Sequence, residues 1–328
     1  MAIIKLDGLT KKFNSFTAVD DIIFEIEEGE IFGFLGPNGA GKTTTISMLS
    51  TILIPTSGTA EINGFNLKKH KDGIRKSIGI VFQDPSLDDE LTAYENLVFH
   101  AVMYDIKKEI MENRINESLK LVDLEKRRND IVKTFSGGMK RRLEIARGLM
   151  HHPKILFLDE PTVGLDPQTR SHIWEYVRKL NNDEKITIIL TTHYMEEAEK
   201  LADRIAIIDH GKIIAIDTPQ NLKAILGGEV ISFSSNDSKK LSNELAKIKW
   251  VKKITLHNDY VDVDVSHSDE QMPQLLKIIN NTGIDVQSIS IHKPSLEDVF
   301  LHLTGKTIRE EEVSGKDVMR LNKRLWGR

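Results

Sequence analysis

The 328-residue sequence contains no cysteine. That excludes disulfides, thiolate metal sites and a cysteine nucleophile, and says nothing further about compartment. It also lacks any apolar run approaching the roughly 18 residues that a membrane-spanning helix needs. The first residues, Met-Ala-Ile-Ile-Lys-Leu-Asp, have no apolar core of the signal-peptide kind and already alternate like a strand. Charge of one sign is missing as well. A formal net charge of −4 offers no general attraction to nucleic acid or anionic lipid, so no nucleic-acid partner is expected. These absences point to a soluble, cytoplasmic chain that reaches a membrane only through a partner. The length exceeds the usual size of one domain, so two are expected. A composition of 40% hydrophobic and 29% charged residues is ordinary for a globular protein with a sizeable core.

What the sequence does contain is one dense stretch from Glu30 to Thr44 around which the rest is organised. It reads as an apolar strand (Ile31 to Leu35), a glycine-rich turn and a helix running to about Ile54. Gly36, Gly41, Lys42 and Thr43 fit the G-x-x-x-x-G-K-[ST] phosphate loop. Glycines at 36, 39 and 41 let the backbone curl so that its N–H groups face phosphate oxygens. The helix start adds partial positive charge, Lys42 can reach the β- and γ-phosphates, and Thr43 can ligate magnesium.

Residues 2–8 and 19–27 read as strands separated by a polar turn from Thr10 to Ser15, which carries Phe13. Phe13 is either a platform for a purine ring or an ordinary core residue. Asn63-Gly64 marks a hairpin within Ala60 to Phe65. Ser77 to Phe82 is a buried strand ending on Gln83, whose amide either ligates magnesium or orients a water at a strand end, or caps the turn before Pro85. From Leu91 to about Lys126 the apolar residues recur with helical spacing, which makes this a helical insertion with charged, solvated faces.

Ser136-Gly137-Gly138 opens a helix from Met139 to about His151. This is a plain capped start or a second anion-binding end. Ile155 to Leu158 is a short apolar strand stopped by Asp159, Glu160 and Pro161. Buried adjacent carboxylates cost several kcal/mol unless a cation or hydrogen bonds offset them. Beside the phosphate loop, Asp159 can hold magnesium through water, and Glu160 can polarise the attacking water as general base. A tight turn, Val163 to Pro167, leads into a helix from Gln168 to Asn181. Lys185 to Leu190 is a further buried strand, ending on Thr191-Thr192-His193. Arg204 to Asp209 and Lys212 to Ile216 form a hairpin around His210-Gly211. Strands ending in such residues and alternating with helices indicate an α/β fold with its site at the carboxyl edge of the sheet.

In order and spacing, these motifs resemble the ATPase subunit of ATP-binding-cassette (ABC) transporters. Gly36-Pro37-Asn38-Gly39-Ala40-Gly41-Lys42-Thr43-Thr44 matches its phosphate loop, Gln83 its glutamine loop and Ser136-Gly137-Gly138-Met139-Lys140 its signature. Ile155 to Pro161 matches its acidic motif, Gly164-Leu165-Asp166-Pro167 its dimer-contact loop, and His193 its switch histidine. Met139 departs from the commoner glutamine but leaves Ser136 and Gly138 in place. The resemblance implies an ATPase using ATP and Mg2+, with Glu160 and His193 catalytic and Thr43, Gln83 and Asp159 at the metal. It puts Phe13 at the adenine, with Phe16 as the alternative. It also implies a closed dimer in which the signature and Asp166 of one subunit meet the nucleotide of the other. A membrane permease would dock near Ser86 to Tyr104, holding the chain on the cytoplasmic face of the cell membrane.

Gly227-Gly228 is expected to close an ABC domain of residues 1–228. Residues 229–305 alternate βαββαβ, the pattern of a small α+β, ferredoxin-like domain. The run from Lys293 to Gly305 is similar to the C-terminal element of daunorubicin-resistance-type ABC ATPases, which serve exporters with a separate membrane chain. The tail, 306–328, begins acidic and ends with Arg320, Lys323, Arg324 and Arg328 around Leu321, Leu325 and Trp326. It could touch a membrane surface, dock on the dimer partner or stay unordered.

Overall fold

The structure, a computed structural model, describes residues 1–84, 86–257, 260–266 and 268–305. The expectations for the tail lie outside the described residues. The chain begins with β1 (Ala2–Phe13), β2 (Phe16–Glu27) and β3 (Ile31–Leu35), followed by α1 (Lys42–Leu49). Next come β4 (Ser57–Ile62), β5 (Phe65–Asn66), α2 (Lys71–Ser77) and β6 (Ile78–Val81). Beyond them lie α3 (Ala93–Met103), α4 (Lys108–Leu121), α5 (Gly137–Leu149), β7 (Ile155–Asp159) and α6 (Pro167–Glu184). The elements β8 (Thr187–Thr192), α7 (Met195–Leu201), β9 (Arg204–Asp209) and β10 (Lys212–Asp217) complete the first unit.

Two sheets organise that unit. One is antiparallel, in the order β2-β1-β4-β5; the other runs β10-β9-β3-β8-β7-β6 and is parallel except for its β9–β10 hairpin. The phosphate-loop strand β3 lies inside this sheet, paired with β8 and β9, and every one of its residues is buried. A strand covered on both faces needs this continuous apolar run. Period-two alternation then divides the sheet between two cores. Phe157 and Ile189 face the antiparallel sheet, while Leu156, Leu158, Ile188 and Leu190 join the apolar faces of α3 to α6. In the first core Phe24 and Phe32 stack at 5.3 Å, and Phe34 meets them edge-on at 5.5 and 5.3 Å.

Two local expectations need correction. The turn before β2 is only Asn14-Ser15: β1 runs on to Phe13, and Asn14 takes the left-handed conformation (φ 52°) that closes the hairpin. The helix expected to reach Ile54 stops at Leu49, because Thr51 turns left-handed (φ 67°) and the N–H groups of Ile52 and Leu53 return to Ser47 O. Residues 71–77 form a short helix, α2, that carries too little periodicity to read from sequence. The helical insertion holds as α3 and α4, with Thr92 and Glu95 forming a reciprocal capping box at the start of α3.

The second compact unit begins at Gln220, ahead of the Gly227-Gly228 pair. It contains α8 (Pro219–Ala224, whose first residue closes the first unit), β11 (Glu229–Ser235), α9 (Ser238–Leu245) and β12 (Lys253–Leu256). The elements β13 (Tyr260–Val265), α10 (Ser268–Thr282), β14 (Val286–His292) and α11 (Leu296–Thr304) complete it. Its sheet order, β12-β13-β11-β14 and antiparallel throughout, is the ferredoxin-like arrangement expected from βαββαβ. Ile231, Phe233, Val261, Val263 and Val265 alternate onto one sheet face. There they pack with Leu241, Leu245, Leu275 and Ile279 of α9 and α10.

Candidate phosphate-binding and hydrolytic site

The carboxyl ends of β3, β8 and β7 are neighbours, and the site is assembled from the residues just beyond each strand. After β3 the chain turns through Gly36 to Gly41 into α1. Gly39 is left-handed (φ 84°), a conformation that a residue with a Cβ adopts only at a cost. At Gly36 the constraint is space: a Cβ there would lie 2.2 Å from the Ile208 carbonyl oxygen of β9. Gly41 at the start of α1 has no side chain to cap it, unlike Ser136 on α5 and Thr92 on α3. The first-turn N–H groups of α1 are thus left to an external acceptor, which suits an anion.

Lys42 folds back over the loop. Its Nζ donates to Gly36 O at 2.7 Å and to Pro37 O at 3.0 Å, and lies 3.4 Å from Glu160 Oε1. Burial lowers the pKa of this ammonium, and the Glu160 charge opposes that shift. One residue on, Thr43 Oγ1 donates to Asp159 Oδ1 at 3.2 Å. Asp159 closes β7, and burial pushes its carboxyl up against the hydrogen bonds from Thr191 and Thr43. A desolvated carboxylate beside a hydroxyl is a hard-oxygen donor pair of the kind that fits a magnesium ion.

Glu160 occupies the left-handed region (φ 46°). Its N–H is fixed by Thr191, to the carbonyl oxygen at 3.1 Å and to Oγ1 at 3.0 Å, while Thr191 Oγ1 donates in turn to Asp159 Oδ1. His193 Nδ1 lies 3.3 Å from Glu160 Oε1. Burial acts to raise the Glu160 carboxyl, but the close approach of the His193 imidazole and the charge of Lys42 outweigh it and hold it below its usual range. The carboxylate is therefore ionised at neutral pH and aimed between a lysine and a histidine.

The structure thus brings Lys42, Thr43, Asp159, Glu160 and His193 into one cluster, in which Lys42, Asp159 and Glu160 are buried, His193 is half-buried and Thr43 is exposed. It leaves other expected residues apart from it. Gln83 is exposed just past the end of β6. Ser136 accepts from Met139 N at 3.3 Å, so its oxygen caps its own helix, and Cβ atoms on Gly137 and Gly138 would press on Leu165 and Thr169. Asp166 caps α6 through Thr169 N at 3.0 Å and Oγ1 at 2.6 Å. Phe13 and Phe16 pair across the tip of the β1–β2 hairpin. Lys11 Nζ lies over the Phe13 ring at 5.0 Å, and Phe16 is 48% exposed.

Sequence reading missed two residues of this region. Thr191 was visible only as part of a strand end; its double role needs the register that sets Asp159 opposite it. Glu197, one of several acids after His193, is fully buried. Its Oε1 accepts from Thr162 Oγ1 at 2.8 Å and Trp174 Nε1 at 2.9 Å, tying the segment after Glu160 to the helix after His193. Burial raises its pKa.

Comparison with known proteins agrees with this geometry. The family model "ABC transporter" matches residues 19–163, and that of the "ATP-binding protein DrrA1-3-like, C-terminal domain" matches 218–304. The chain is 41% identical to the linearmycin resistance ATP-binding protein LnrL of Bacillus subtilis, over 94% of this chain and 100% of the relative. It is 39% identical to the daunorubicin/doxorubicin resistance ATP-binding protein DrrA of Streptomyces peucetius, over 92% of each. Among solved structures, it resembles cbiO1 of Clostridium perfringens, part of the ABC transporter complex cbiONQ. The TM-score is 0.64 at 32% identity, covering 68% of this chain and 91% of that one. It also resembles the dimeric ATP-binding cassette MJ0796 bound to ADP and Pi (TM-score 0.58, 30% identity, 66% and 98% coverage). A phosphate loop facing two ordered carboxylates, in a chain matched nearly end to end by such relatives, identifies it as a member of the ABC transporter ATPases of the daunorubicin-resistance type.

Proposed function

We propose that this chain is the ATP-hydrolysing subunit of a multi-chain exporter, and that ATP-driven closure of two such subunits moves a drug-like, lipid or other amphiphilic cargo through separate membrane chains. The observation that carries the reading is the cluster in which Lys42 and His193 flank the ionised, buried Glu160 while Thr43 and Asp159 converge. In it Glu160 is the general base that polarises the attacking water, and His193 fixes its carboxylate. Lys42 and the uncapped start of α1 bind the triphosphate. Thr43 and Asp159 would hold Mg2+, with Gln83 joining them; the ion would neutralise charge on the phosphoryl oxygens.

The Ser136–Gly138 end of α5 and Asp166 lie outside that cluster, which supports a second subunit, most simply another copy, supplying them to the nucleotide. The names of the resistance-protein relatives support a drug-like cargo. Docking of the permease near Ser86 to Tyr104 is supported by Phe99, Val102 and Met103, which α3 leaves 65%, 61% and 67% exposed. Among the described residues no helix is long and apolar enough to cross a membrane, so attachment at the cytoplasmic face would pass through that partner.

The test is Glu160→Gln. It is expected to bind ATP, to lose about 10²- to 10⁴-fold in turnover, and to run as a dimer in size-exclusion chromatography with ATP and Mg2+. Wild-type turnover in this variant would overturn the assignment of the base. A persistent monomer, even with the permease supplied, would overturn the closure mechanism.

A further inference from the structure

One guanidinium holds the backbone on both sides of Glu160. Arg141, on the first turns of α5, is 6% exposed. Its Nη2 donates to Asp159 O at 2.9 Å and its Nε to Pro161 O at 2.8 Å, the carbonyls immediately before and after Glu160. Its Nη1 donates to Phe82 O at 2.6 Å, the carbonyl just before Gln83, and to Glu144 Oε2 at 3.0 Å. Glu144, 2% exposed, uses its other oxygen to accept Ser86 N at 2.9 Å. Arg147, further along the same helix, donates to Ser86 O at 2.6 Å. The loop carrying Gln83 is thereby fastened at both ends to α5, and one of the fasteners is the group that grips the Glu160 segment.

A left-handed glutamate persists only where its surroundings hold it. Thr191 holds the Glu160 N–H; Arg141 holds the flanking carbonyls. The planar fork of arginine serves acceptors in several directions at once, which the point-like ammonium of lysine cannot do. We propose that Arg141 is a positioning residue for Glu160, and that the Arg141–Glu144 pair makes the position of Glu160 depend on the placement of the Gln83 loop. Movement of that loop, by nucleotide or by a docked partner, would then act on hydrolysis through the Asp159 and Pro161 carbonyls without any side chain of the loop touching the reacting atoms. The inference rests on the reading of Glu160 as general base.

The experiment uses the full chain with Arg141→Lys and Glu144→Gln, each also combined with Glu160→Gln. Basal ATP hydrolysis, fluorescent-nucleotide affinity and thermal stability are measured on each. Arg141→Lys is expected to lower kcat by about 10- to 100-fold, the scale of a small misplacement of a catalytic group. KM and nucleotide affinity should stay within about twofold, since binding groups are untouched. Glu144→Gln should show the same pattern in weaker form, and it carries the test should Arg141→Lys fail to fold. In the Glu160→Gln background neither change should slow the residual turnover further, because each acts through Glu160. A merely structural brace would lower the nucleotide-binding fraction together with turnover, or slow the Glu160→Gln background as well; either result overturns the proposal. So does normal kcat in both single variants. If Glu160→Gln itself hydrolyses ATP normally, the general-base reading falls first, and this inference with it.

Discussion

Lys42 Nζ and Glu160 Oε1 stand 3.4 Å apart, and only 4% and 5% of the two side chains is exposed. Each is the other's counter-charge in a place where neither would be stable alone. The phosphate loop and the acidic strand end are thus coupled electrostatically as well as adjacent, and this coupling governs what substitutions there do.

Lys42→Ala removes the cation that the loop holds over the phosphate position. We predict that it weakens ATP by about 100-fold or more, the equivalent of roughly 3 kcal/mol from charged hydrogen bonds. Titration calorimetry or fluorescent-nucleotide binding checks this, and unchanged affinity would contradict the placement of the triphosphate.

Thr191→Val keeps the shape of the strand end but deletes a hydroxyl that serves Asp159 and Glu160 at once. The Glu160 N–H retains the Thr191 carbonyl, while Asp159 Oδ1 loses a donor in a buried setting. The expected outcome is a stability loss of about 1–3 kcal/mol in urea unfolding, together with slower turnover. A variant as stable and as active as the wild type would remove Thr191 from the site.

His100, on α3, is held neutral. Burial lowers its pKa to about 3, and the positive charges of Arg147 and His151 add to the effect. The unfolded chain, with an ordinary histidine pKa near 6.5, binds the proton first, so stability falls as pH drops below that value. Between pH 7 and pH 5 this group should cost about 2 kcal/mol. His100→Gln should flatten that fall in denaturant titrations at the two pH values; an undiminished fall would show that the group is not buried neutral.

A chain ending at Pro219 should fold and bind ATP, because the first unit contains the whole cluster from Lys42 to His193 and both of its own cores. Loss of nucleotide binding in the truncated chain would show that the boundary lies elsewhere.

The sequence by itself determined those features that depend on neighbours along the chain. These include the phosphate loop, the carboxylates that stop an apolar strand, the Asn63-Gly64 turn, and the alternation that makes 229–291 a βαββαβ unit. Helix starts were legible where a capping side chain sits next to an apolar run, as at Ser136. Helix ends were not: α1 stops at a left-handed threonine, a residue type that gives no such signal.

Only the tertiary structure decided which strand ends meet, because the order β9-β3-β8-β7-β6 is set by packing between segments far apart in the chain. That order sets Glu160 between Lys42 and His193, and Asp159 beside Thr43 and Thr191. It also turns Arg141 and Glu197, which in one dimension are members of charge runs, into buried hydrogen-bonding centres. A charged side chain reveals such a role only when burial forces every one of its donors or acceptors to find a partner.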